Sequence, residues 1–374
     1  MRFHNYLEKM VQEEASDLFV TAKLPVSAKI NGELLPIDDQ PLSPDDALAL
    51  VESSMNDKQR LEFNSDKECN FAISIDGIGR FRVSAFWQRD MAGMVVRRIV
   101  TEIPSVDELG LPSVLKDVVM SKRGLVLFVG GTGTGKSTSM ASLIGYRNQN
   151  SRGHILTIED PVEFVHEHGK SMITQREVGL DTESFDAALK SSLRQAPDVI
   201  LIGEIRSQEI MEHALSFAET GHLCIATLHA NNANQAIDRI MHLVPADQHD
   251  KLLFDLALNL RGIIAQQLVP TRDGNGRVAA IEILLNSPYL AELIKKGDIG
   301  GVKEVMTKST ELGMQTFDQA LFNLYQRGQI NYADAIHHAD SPNDLRLMIK
   351  LRSNDQGGSG SLSGVTLHGL EPKD

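Results

Sequence analysis

Cysteine is nearly absent: 374 residues contain only Cys69 and Cys224, far apart in the chain. That excludes a disulfide framework, a CxxC redox pair and a cysteine-rich zinc site. Positive charge is also scarce. Lys plus Arg number 37 against 50 Asp plus Glu, a net charge of −13, and there is one Trp. Coating DNA or RNA draws on a surplus of cations, so nucleic acid is excluded as a general partner, although a local basic groove is not. No apolar run approaches the roughly 18 residues of a transmembrane helix. At the N-terminus, charges interrupt Phe3, Tyr6, Leu7, Met10 and Val11, which excludes the continuous apolar core of a signal peptide. A cytoplasmic address is expected, with docking on a membrane protein left open.

What is present describes a globular chain, 42% hydrophobic and 23% charged, long enough for two domains. The five apolar N-terminal residues recur at i, i+3, i+4, i+7 and i+8, one face of a helix that packs on its own domain. DLFVT (17–21), VSAKI (26–30) and ELLPI (33–37) are predicted strands, with Asn31-Gly32 as a hairpin turn. Residues 43–63 are predicted helical. FAISIDGIGRFRVSAF (71–86) predicts a hairpin turning at Asp76-Gly77, and MVVRRI (94–99) a further strand. The reading is an α+β domain over 1–100, then a Pro/Gly-containing linker over 101–112.

From there the rhythm changes. LVLFV (125–129), ILTI (155–158), VILI (199–202) and LCIAT (223–227) are short, fully apolar runs between helical stretches. That pattern predicts an α/β domain with a parallel sheet covered on both faces, over 113–353. Beyond about residue 232 the pattern is mostly helical, with one strand expected at 277–284. Residues 354–374, Gly/Ser-rich and without an aromatic, are expected to be a disordered tail.

GGTGTGKS (130–137) fits G-x-x-x-x-G-K-[ST], directly after an apolar strand and before a helical stretch. In that context Gly130, Gly131, Thr132, Gly133, Thr134, Gly135, Lys136, Ser137 and Thr138 are the candidates to wrap the phosphates of ATP. Backbone N–H groups and a helix N-terminus supply the positive potential. Lys136 would reach the β- and γ-phosphates, and the Ser137 hydroxyl would ligate Mg²⁺. Hydrolysis needs more: a second contact to the metal and an acid to activate water. DVILIGE (198–204) ends a buried strand in Glu204, the Walker B position, as a Mg²⁺ ligand. ILTIEDPVEF (155–164) ends another strand in Glu159, Asp160 and Glu163, with Pro161 stopping the ladder. An extra strand with an acid between P-loop and Walker B is the layout of RecA-like ATPases. Strand geometry does not choose among the three acids. GHLCIATLH (221–229) carries His222 and His229 at its two ends, candidates for sensing the γ-phosphate.

GGTGTGKST, ILTIEDPVEF, LRQAPDVILIGEIR and TGHLCIATLH, in this order and spacing, resemble the four signature boxes of secretion ATPases. The chain resembles the type IV pilus retraction (twitching motility) branch, PilT/PilU type, over roughly residues 1–345. The resemblance implies a cytoplasmic hexamer at the inner-membrane pilus platform, homomeric or mixed with a paralogous retraction ATPase. It implies a PAS-like N-terminal domain, a RecA-like ATPase domain, and catalytic roles for Lys136, Glu204, His222 and His229. It selects Glu163 as the water-activating acid, leaving Glu159 and Asp160 to shape the turn. It also implies phosphate-reaching arginines on the N-terminal strands, here Arg80, Arg82 and Arg97. Ala196 stands where the family often has Asp, Ser207 ends a box that usually ends in Asp, and PYLAELIKK (288–296) lacks the arginine and asparagine of the retraction motors' AIRNLIRE helix. With the tail, these departures favour the PilU paralogue. The alternatives are a pilus-extension or type II secretion ATPase, usually longer and with a four-cysteine zinc element, and a nucleotide-binding accessory subunit dependent on an active partner.

Overall fold

In the computed structural model of the chain, which describes residues 3–99 and 102–356, strands β1 (Asp17–Thr21), β2 (Ser27–Ile30), β3 (Glu33–Pro36), β4 (Glu68–Ile75), β5 (Gly79–Gln88) and β6 (Met91–Ile99) form one antiparallel sheet. Its order is β3-β2-β1-β6-β5-β4. Asn31 and Gly32, at φ 52° and 88°, join β2 to β3 with Ile30 opposite Glu33, the hairpin expected of that dipeptide. β5 and β6 turn on Arg89 and Asp90, also at positive φ, a turn without a glycine. The strand expected at 94–99 therefore begins three residues earlier. Phe3, Tyr6, Leu7 and Met10 of helix Phe3–Gln12 are buried with Leu18, Val20, Phe81, Val83, Met94 and Val96 in one core. The helix expected over 43–63 is two. Pro44–Ser53 is capped by Ser43, and Asp57–Asp66 starts at an Asn56/Gln59 capping box, whose geometry breaks the chain between them.

The second sheet comprises β7 (Gly124–Val129), β8 (Gly153–Glu159), β9 (Ser171–Glu177), β10 (Val199–Ile202), β11 (Leu223–Leu228), β12 (Leu260–Pro270) and β13 (Arg277–Leu285), in the order β13-β12-β7-β11-β10-β8-β9. β9, β8, β10 and β11 run parallel, and β12 and β13 form an antiparallel hairpin. The four apolar runs are strands, and β7, β10 and β11 are buried along their whole length. β9 and β12 are additions to the expected set. β12 follows helix His249–Asn259 with no turn residue between, and SMITQRE in β9 is too polar to stand out as a strand.

The chain packs as two compact units that do not follow the division expected at 101–112. One comprises Met1–Glu108, Leu115–Val126 and Ser137–Thr227; the other comprises Leu109–Val114, Leu127–Lys136 and Leu228–Asp374. Helix Pro342–Gln356 runs three residues into the segment expected as a tail, and 357–374 lie outside the described residues.

In the second unit Glu282 of β13 is buried and accepts a 2.8 Å hydrogen bond from the Ala233 N–H, at the start of helix Ala233–Met241. Burial pushes its carboxyl up to about 7, and Asp340 nearby adds to the rise; the Ala233 hydrogen bond and Lys303 pull the other way. Between the unfolded value of 4.5 and about 7 the folded chain holds a proton that the unfolded chain has lost. Stability from this group therefore falls as pH rises through that window, by about 3 kcal/mol in all. Glu282→Gln should flatten the fall, as read from denaturant midpoints between pH 4.5 and 7.5; an unchanged slope would count against the buried proton.

Candidate active site

β7 ends at Val129 and the chain enters a loop whose glycines take backbone that side chains resist. Gly130 and Gly135 sit at φ 153° and 85°. A Cβ on Gly130 would lie 2.6 Å from the Gln266 carbonyl, and one on Gly135 would lie 2.8 Å from Gln266 Nε2. The buried Gln266 of β12 also donates to the Thr134 carbonyl at 2.9 Å, so the loop is braced against this strand. Lys136, buried at the first position of helix Lys136–Asn150, donates through Nζ to the Gly130 and Gly131 carbonyls at 2.8 and 2.7 Å. Thr134 Oγ1 adds a bond to the Gly131 carbonyl at 2.9 Å. The turn thus folds back on itself, leads into a helix start and carries its lysine in place. Thr132 and Gly133 are exposed, and Gly131, Ser137 and Thr138 half-buried. This cradle fits a polyphosphate.

The acids lie at the C-terminal ends of the parallel strands, where open α/β sheets carry their ligands. Ile158 pairs with Ile202, and the Gly203 N–H continues the ladder to the Ile158 carbonyl at 2.8 Å. A Cβ at Gly203 would lie 3.2 Å from Glu159 Cα, so glycine permits this approach. Ile205 N–H then bonds the Thr227 carbonyl at 2.9 Å, aligning the tips of β8, β10 and β11. Arg206 joins two acids: its Nε bonds Glu204 at 2.6 Å, and its Nη1 lies 3.5 Å from Asp160. Glu159 points inward, accepting from Thr157 Oγ1 at 2.6 Å and Gln175 Nε2 at 3.3 Å. Burial holds its carboxyl above the usual range, and the charge of Glu163 pushes the same way.

Glu163 is exposed on the loop that follows. Its neighbours are held from β9: Val162 N–H donates to Glu177 Oε2 at 3.1 Å, and Gln175 Nε2 donates to the Phe164 carbonyl at 2.8 Å. Gln175 Oε1 accepts from the His166 N–H at 2.8 Å. Burial pushes the His166 imidazole down to about 4, so the ring is neutral at ordinary pH.

His229 directly follows β11 at the tip end and is exposed. His222 precedes β11 and sits at its other end, against Thr220 Oγ1 at 3.1 Å and the Phe217 carbonyl at 3.2 Å. A six-residue strand, roughly 20 Å, separates it from the acids. The two histidines are therefore not brought together. The three arginines do share a sheet face: Arg80 and Arg82 alternate along β5, and Arg82 stands opposite Arg97 on β6. Arg82 is ion-paired with Glu177, and Arg97 Nε with the buried Asp17 at 2.8 Å. Arg80 Nε is buried without a hydrogen-bond partner among the described residues.

Residues 2–318 match the family model of the type II/IV secretion system proteins. The chain belongs to the type II/IV secretion ATPase family. It is 61% identical to the type IV pilus ATPase PilU of Pseudomonas aeruginosa, over 94% of this chain and 92% of that one. Identity to the type IV pilus retraction ATPase PilT of the same organism is 41%, over 89% of this chain and 97% of that one. A crystal structure of the pilus retraction motor PilT with bound ADP superposes with a TM-score of 0.87 at 39% identity, covering 93% of this chain and 100% of that one. The chain is thus a nucleotide-binding ATPase of the PilT/PilU branch, with an N-terminal domain and a RecA-like domain. No helix among the described residues is long and apolar enough to cross a membrane.

Two departures from the family pattern have local structural meaning. Ser207 caps helix Gln208–Glu219, its Oγ accepting from the Ile210 N–H at 3.4 Å, a task that aspartate also performs. Ala196 adopts left-handed backbone at φ 49°, where aspartate is better tolerated, so its cost falls on local stability. Four residues of the site escaped the sequence reading: Gln175, Glu177, Arg206 and Gln266. All are polar residues in or beside strands, and an i, i+2 polar pair in QREV was the one available signal.

Gln266 yields a test of the cradle. Gln266→Ala should weaken ATP binding about 5- to 30-fold, the equivalent of 1–2 kcal/mol for a lost buried hydrogen bond and its packing. Titration with a fluorescent ATP analogue measures this, and wild-type affinity would show that β12 does not brace the loop.

Proposed function

We propose that the chain is a motor subunit of type IV pilus retraction. It works as a hexameric ring, alone or mixed with a PilT-like paralogue, on an inner-membrane platform protein from the cytoplasmic side. Domain limits at 1–100, PAS-like, and 113–353, RecA-like, belong to this proposal. The supporting observation is the braced P-loop with Lys136 already turned into it, in a chain 61% identical to PilU.

In this reading the N–H groups of 130–138 and the Lys136 ammonium hold the phosphates. Ser137 and Glu204 are the residues that would hold Mg²⁺. A hydroxyl and a half-buried carboxylate are hard oxygen donors suited to it. The ion, when bound, neutralises charge on the phosphate oxygens. Glu163 accepts the proton of the attacking water; its exposure leaves the carboxylate accessible to that water. Arg206 keeps Glu204 and Asp160 in place. His229, at the tip end of β11, is the histidine assigned to γ-phosphate sensing; His222 is left to cap its own turn. Of the three arginines, Arg80 is the one assigned to a phosphate, because Arg82 and Arg97 are each engaged by a carboxylate.

The test is ATP turnover of wild type, Lys136→Ala and Glu163→Gln, each alone and mixed with the PilT-like paralogue. Lys136→Ala should lose binding and hydrolysis. Glu163→Gln should bind ATP normally and turn over at least about 100-fold more slowly. Wild-type rates in both would overturn the hydrolase reading. A wild type silent alone and active on mixing would identify an accessory motor.

A further inference from the structure

We infer that Arg82 and Glu177 are positioning residues for the catalytic acid, and that through them the N-terminal sheet controls turnover. The inference rests on Glu163 as the water-activating residue. The exposed Glu163 carboxylate takes its place from its backbone, which is pinned on both sides. Glu177 holds Val162, the residue before it, and Gln175 holds Phe164 and His166, beyond it. Gln175 and Glu177 are i, i+2 on β9 and share one face of that strand.

The two oxygens of Glu177 divide their work. Oε2 accepts from the Val162 N–H, and Oε1 faces Arg82 Nη2. The Glu177 side chain is 4% exposed. A carboxylate so buried keeps its place only if its charge is paired. Arg82 supplies that charge from β5, a strand of the sheet formed by residues 17–99. Removing it leaves an unpaired buried anion, which must protonate or turn toward water. Either change loosens Val162, and a displacement of about 1 Å at a catalytic group can cost two orders of magnitude in rate. The contact also gives Arg82 a task in this chain that is not direct phosphate binding.

The experiment measures kcat and KM for ATP on the full chain, mixed with the PilT-like paralogue where turnover requires it. Variants are Arg82→Gln, Arg82→Lys, Glu177→Gln and the double Arg82→Gln/Glu177→Gln. Glu177→Gln keeps an acceptor for Val162 and loses the ion pair. Each glutamine variant should lower kcat about tenfold with KM within about twofold, a loss of placement rather than of binding. The double variant should be no slower than the slower single, because both remove the same link. Arg82→Lys should recover most of the rate. Multiplicative losses in the double, or wild-type kcat in Glu177→Gln, overturn the inference and return Arg82 to the phosphates. Loss of ATP binding or thermal midpoint in step with kcat assigns the pair to folding and overturns it equally. Glu163→Gln in the same series separates the two readings. If it turns over normally, the choice of acid fails; if it is inactive while Glu177→Gln is normal, only the positioning role fails.

Discussion

Parallel pairing sets Ile158 beside Ile202 and Ile202 beside Ala226, so the residues that follow in each strand emerge along one edge. Glu159 and Asp160 leave β8 there, Gly203 and Glu204 leave β10, and Thr227 lies near the end of β11. The close approach depends on Gly203 having no side chain, since any Cβ would press on Glu159 Cα. Once this register is fixed, Arg206 can span Glu204 and Asp160, and Glu159 is forced inward to Thr157 and Gln175. Shifting β10 by one residue would reverse the faces of its side chains and dissolve the cluster.

That edge explains why the three acids of ILTIEDPVEF differ in chemistry although they are neighbours in sequence. Glu159 is half-buried with its carboxylate turned inward, and its ionisation is opposed by desolvation. Asp160 is half-exposed and tied to Arg206. Glu163 is exposed, with its backbone anchored on either side. A base that must take a proton from water needs access and fixed placement together, and among these acids Glu163 combines them.

The parts of the molecule legible in the sequence were those whose signal is local. Asn31-Gly32 specifies its turn through positive φ, the helix stripe of Phe3 to Met10 through periodicity, and the P-loop through its glycines and lysine. LVLFV, VILI and LCIAT declared themselves because strands buried on both faces must be apolar throughout. What stayed hidden was non-local. β12 supplies Gln266 to the P-loop from about 130 residues downstream, and its start merges with the preceding helix. β9 is polar because its side chains bond a loop, so hydrophobic pattern cannot reveal it. The choice of Glu163 came from family likeness.

The phosphate loop and the loop that carries Glu163 therefore draw on different supports. The phosphate loop is stiffened by Gln266 of β12, while the loop of the acid is stiffened by Gln175 and Glu177 of β9. Neither set of hydrogen bonds contains a member of the other. With the proposed roles, changing polar residues on β9 or the arginine that pairs with them alters rate and leaves ATP binding in place. The departures at Ala196 and Ser207 fall outside both sets. They alter a left-handed turn and a helix cap, and leave the lysine, the acids and their supports in place. The ion pair of Glu177 with Arg82 ties the loop that carries Glu163 to the sheet formed by residues 17–99.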